Sequence, residues 1–209
     1  MDDENKVKID WSTQLEDILA QEGERCRGLA WLHIRSEILT SKYNTYVQVP
    51  VIVLSTLAGT ASVGSATLFG GGSTSSIAIG LVSISVGILN TLGSFFAFAK
   101  RSEAHRIAHL NYSKLSAKIT IELSLPRDER MDAEPFLVHI RETMERMAET
   151  APMCPEDVIK EFNIKFKNTN VSLPVETNGI HKITVFRGLT HVETPVVPED
   201  TSSFKITIK

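Results

Sequence analysis

The chain has 209 residues, 22 of them Lys or Arg against 25 Asp or Glu, with a net charge of −3. That balance excludes the broad basic field that draws nucleic acid or anionic lipid. The two cysteines, Cys26 and Cys154, are too few for a disulfide framework and read, with no export signal, as reduced thiols.

Residues 1–45 read as a cytosolic helix. Ser12 or Thr13 is its expected N-cap, and Thr13-Gln-Leu-Glu16 fits a capping box. Leu15, Ile18, Leu19, Cys26 and Leu29 form a stripe at helical spacing, continued by Trp31 and Ile34.

Residues 46–99 have a different composition. Between Lys42 and Lys100 there is no Asp, Glu, Lys, Arg or His. A soluble two-helix segment of this length needs charges on its wet face. The block divides into spans at 49–69 and 77–98, each about 20 residues and so sufficient to cross a bilayer core of ~30 Å. A Gly/Ser-rich turn at 70–76 separates them, giving a transmembrane helical hairpin. Pro50 is expected in the first turn of its helix, where a missing N–H costs little. Arg25, Arg27, Arg35 and Lys42 precede the spans, and Lys100, Arg101 and Arg106 follow them. Both termini are therefore expected on the cytosolic side, or its equivalent.

Each span carries small residues in alternating steps of three and four. The first has Ser55, Gly59 and Ser62; the second has Gly80, Ser83, Gly87, Asn90 and Ser94. Small faces let helices approach closely in lipid. These residues are the expected helix-packing or pore face: they zip the hairpin together, or they face other copies or a wet pore. Asn90 is the most polar of them, and its mid-span position demands a hydrogen-bond partner.

Residues 100–167 read as further cytosolic helices. One is expected from 100 to 125, continuous with the second span, with Ala104, Ala108, Leu115 and Ile119 inward. A charged turn follows at Arg127-Asp-Glu-Arg130. Another helix is expected from Pro135 to about Glu149, with Phe136, Ile140, Met144 and Met147 inward. Ala151-Pro-Met-Cys-Pro155 breaks the chain, and Pro155 opens a helix with Glu156 and Asp157 in its first turn. Residues 168–209 read as an extended, β-prone tail. Its apolar positions Ile183, Val185, Phe204, Ile206 and Ile208 suit either a small β-hairpin or an arm completed by another protein.

Chemistry is hard to find. His105 and His109 lie four apart on one helix face, but Arg106 stands where a zincin helix carries its general-base Glu. There is no Gly-x-Ser-x-Gly elbow and no phosphate loop with a following Lys-Ser/Thr. No catalytic, cofactor-binding or metal-ligating residue is expected, and the chain reads as non-enzymatic.

The order of several short features resembles the SLATT domains. They are Trp31-Leu-His33, then Tyr46 and Pro50 leading to Leu57-Ala-Gly59-Thr, then Phe95-Phe96-Ala-Phe98, Ala104-His105, Tyr112, Ile119, Glu122-Leu123 and a helix closing at Ala151-Pro152. The resemblance covers residues 10–166. It implies a two-span helical protein, whose bacterial relatives accompany nucleotide-signal defence systems and are proposed to open pores. Stand-alone members in large DNA viruses imply a structural role at a membrane. The expectation is therefore an all-α membrane protein that anchors a bilayer to a larger protein assembly, such as a viral minor capsid or inner-membrane protein. The alternative is a pore-forming effector that oligomerises and permeabilises the membrane. The expected partners are the lipid bilayer and either copies of itself or neighbouring proteins bound through the tail.

Overall fold

A computed structural model describes residues 9–64 and 73–178. Among these every regular element is helical: α1 (Thr13–Val63), α2 (Ser73–Phe96), α3 (Phe98–Ser124), a 3-10 turn (Arg127–Glu129), α4 (Ala133–Thr150), α5 (Glu156–Lys165) and the single turn α6 (Val175–Asn178).

Ser12 is the N-cap of α1, its Oγ accepting the Leu15 amide at 3.2 Å. Glu16 does not complete a capping box; it accepts instead from Arg127 and Arg130, which close the far end of α3 over the start of α1. The expected break between an N-terminal helix and a first span is absent. Helix α1 runs unbroken for 51 residues with Pro50 in its interior rather than its first turn. Proline removes one intrahelical bond there. Its neighbours Thr45 to Val49 contain no glycine or other breaker, so the helix carries through.

The opposite departure occurs after α2. The expected continuous helix is interrupted at Ala97, whose φ of 49° and ψ of 40° are left-handed. Hydrogen bonding bridges the break: Ala97 N–H donates to Gly93 O, and Arg101 N–H donates to Ala97 O.

Below that joint α1 and α3 pack antiparallel. Ser116 Oγ donates to Gly23 O at 2.9 Å, and a Cβ on Gly23 would meet Ile119 Cγ2 at 3.2 Å. The small residue lets the helices close. Leu19, Cys26 and Ala30 of α1 bury against Ala108, Tyr112, Leu115 and Ile119 of α3, with Phe136, Ile140 and Met147 of α4 covering them. Leu32, Val158 and Phe162 form a second cluster between α1 and α5.

The head extends past residue 167, where an extended tail was expected to begin. Ser172 N–H donates to the Glu24 carboxylate at 2.7 Å, and Pro174 is buried against Gly28. Leu173 and Pro174 fill apolar space beside α5, and α6 is helical rather than strand-like. Ile183, Val185, Phe204, Ile206 and Ile208 lie outside the described residues.

Candidate functional site

Two regions stand out physically. The first is the surface of α2 and the second half of α1. Both α1 and the run Ser73–Ser124 are long and apolar enough to cross a membrane, and only 6% and 0% of their most apolar windows are buried. Ile52, Leu57, Ile77, Leu81, Ile84 and Phe95 are all more than half exposed. Polar atoms on this surface are largely self-satisfied. Ser55, Thr56, Ser83, Ser85 and Thr91 each donate a hydroxyl to the carbonyl four residues earlier. That local bond hides the hydroxyl within its own helix.

The expected packing face does not hold α1 and α2 together within the chain. Ser55, Gly59, Ser62, Gly80, Ser83, Gly87, Asn90 and Ser94 are all exposed, and a Cβ on Gly59, Gly80 or Gly87 would meet nothing within 4 Å. The less exposed positions are Val47, Val51, Leu54, Ala58 and Ala61 on α1, and Ile79, Val82, Val86, Leu89 and Gly93 on α2. Each small residue of α2 sits one position after a member of this second set, about 100° round the helix. Both sets share the same three-four rhythm, so spacing does not separate them. Branched side chains remove more apolar area than Gly or Ser, which favours their face for packing. Gly93 is the exception: its Cβ position lies 3.2 Å from Val47 Cγ1.

The second region is inside the head. His33 on α1 and His105 on α3 are both 2% exposed, and their Nδ1 atoms lie 3.0 Å apart. One Nδ1–H therefore donates to the other ring's lone pair. Cys154, in the non-helical link between α4 and α5, brings Sγ to 3.9 Å from His33 Nδ1. All three donor atoms lie within 4.8 Å of one another. Tyr112 stacks on the His33 ring, with centroids 5.5 Å apart and planes 6° from parallel. Burial, with His105 and His109 nearby, lowers the pKa of His33 to about 4. Burial likewise lowers that of His105, with Arg101 adding to it, and raises that of the Cys154 thiol. At neutral pH the imidazoles are uncharged.

The two histidines that meet are not the pair spaced four apart on α3. The Nδ1–H of His109 donates instead to Ala30 O at 3.0 Å. His105 belongs with Ala108, Tyr112, Leu115 and Ile119 on the buried face of α3, and His33 continues the buried face of Cys26 and Ala30 on α1. Two histidines on two buried stripes were the available signal. Cys154 gave none, because only the path of the link brings it there.

Comparison with protein-family models, curated proteins and solved structures returns no match to this chain.

Proposed function

We propose that this chain is a non-enzymatic integral membrane protein. Spans 49–69 and 77–98 form a transmembrane hairpin that anchors the helical head to a bilayer, both termini on the cytosolic side, within a larger assembly. The observation that carries this reading is that almost no residue of the two apolar windows is buried. A soluble protein buries its most apolar helices, and contiguous apolar surface on this scale marks a membrane or protein contact. Lys42 lies over the Tyr46 ring at 5.6 Å and Lys100 follows Phe98, an interfacial arrangement of aromatic and cationic groups. The SLATT resemblance supports the same two-span plan and leaves the virion setting open to test.

Alkaline extraction of membranes from expressing cells tests insertion. The protein stays in the pellet and needs detergent to leave it; release into detergent-free buffer overturns the reading. A glycosylation acceptor placed at residue 71 is modified in microsomes, while one at the N-terminus is not. Deleting residues 179–209 should leave insertion intact and abolish association with the assembly.

The outward small-residue face favours a second reading, self-association leading to a pore. Asn90 is exposed on that face, and an amide in hydrocarbon is costly without a partner. Under this reading dye-loaded liposomes leak on adding protein, and Asn90→Leu reduces the leakage. Tight liposomes exclude it.

A further inference from the structure

The buried cluster in the head bears on neither membrane insertion nor assembly, yet its atoms converge from three separate elements. His33 comes from α1, His105 from α3 and Cys154 from the link after α4. We propose that His33 Nδ1, His105 Nδ1 and Cys154 Sγ bind a single divalent cation of the zinc class.

The geometry is close to what such an ion requires. With Zn–N of about 2.05 Å and Zn–S of about 2.3 Å, tetrahedral coordination separates two nitrogens by about 3.3 Å and a nitrogen from a sulfur by about 3.6 Å. The observed separations are 3.0 Å between the imidazole nitrogens and 3.9 Å from His33 to the sulfur. The third, His105 to Cys154, lies within 4.8 Å. A shift of about 1 Å in the link therefore completes the set. Residues 151–155 carry no helical hydrogen-bond ladder to resist that movement, and Cys154 is only half-buried. The two histidines, held on packed helices, are the rigid part.

Imidazole with thiolate is a donor set that selects zinc-like ions over magnesium or calcium, which prefer oxygen. Binding expels the Cys154 thiol proton and moves the shared imidazole proton from Nδ1 to Nε2, so the Nδ1 lone pairs both face the metal. The hydrogen bond between the rings is replaced by two coordinate bonds. Three protein ligands leave a fourth corner for water or an external ligand, entering from the side of Cys154. The bound ion ties α1, α3 and the α4–α5 link into one unit.

Cobalt alone serves as the probe, titrated into the full chain purified in detergent after treatment with a chelator. One equivalent of Co²⁺ should produce tetrahedral ligand-field bands and a thiolate charge-transfer band, both abolished by an equivalent of Zn²⁺. Cys154→Ser sits outside any helix and should keep the wild-type circular dichroism spectrum. It should lose the charge-transfer band and bind at least ~10-fold more weakly. His109→Gln, whose ring faces Ala30 instead, should behave as wild type. No band at one equivalent, or an unchanged spectrum in Cys154→Ser, overturns the proposal. Neither outcome depends on membrane insertion.

Discussion

A Cβ built on Gly28 of α1 would lie 2.6 Å from Cγ and 2.7 Å from Cδ of Pro174. The ring cannot swing aside as a flexible chain end would, so the segment carrying it must move. Gly28→Ala gains about 1 kcal/mol in helix propensity but loses this contact. The expected result is release of residues 172–178, seen as faster proteolysis there, with the core of α1, α3 and α4 still folded. Unchanged protection of that segment would show that Pro174 does not dock on α1.

Ala97 is the only non-glycine residue with positive φ among the described residues. A left-handed conformation costs an L-residue roughly 1–2 kcal/mol, a penalty glycine escapes. Ala97→Gly should therefore raise the stability of the protein in detergent by about 1 kcal/mol, read as a higher midpoint in thermal or denaturant unfolding. A lower midpoint would mean that the α2–α3 joint is not left-handed.

Hydrogen bonds from Arg127 and Arg130 lower the Glu16 pKa from 4.5 to about 2. A depressed carboxyl pKa stabilises the fold fully above its unfolded value and progressively less as pH falls towards the folded one. Glu16→Gln should therefore flatten the loss of thermal stability between pH 4.5 and about 2. An acid limb of wild-type steepness in the variant would rule out this ion pair as its source.

Cys26 is fully buried, and burial, reinforced by Glu22, raises its thiol pKa to about 12. The thiolate is the nucleophile in alkylation, so a Cys154→Ser chain should resist iodoacetamide at pH 8 until denaturant is added. Rapid modification of the folded variant would contradict the packing of α1 on α3.

Gly93 and Gly87 separate two kinds of contact on α2. A Cβ at Gly93 would press on Val47 Cγ1 at 3.2 Å, leaving no room for a longer side chain, whereas Gly87 faces open space. Gly93→Leu should push α2 away from α1, detected as reduced disulfide trapping between cysteines introduced at 51 and 89 on the less exposed faces of the two helices. Gly87→Leu should leave that pairing intact and weaken any self-association through the outer face. Equal effects of both substitutions would remove the distinction between inner and outer faces.

Much of this architecture is written in local chemistry. A block without charges between Lys42 and Lys100 specifies two long apolar helices wherever they reside, because nothing in it can stabilise a wet face. Ser12 marks a helix start by accepting a first-turn amide, and Pro155 marks another by carrying no N–H that needs a partner. Three things lay beyond such local rules. Whether Pro50 opens a helix or sits inside one is ambiguous locally, because proline fits a first turn and is also tolerated in an interior at the loss of one hydrogen bond. Which of two faces with the same rhythm packs depends on buried area summed across a partner helix. And the meeting of His33, His105 and Cys154 joins positions 72 and 121 residues apart, a proximity that only the antiparallel pairing of α1 with α3 and the return of the α4–α5 link create.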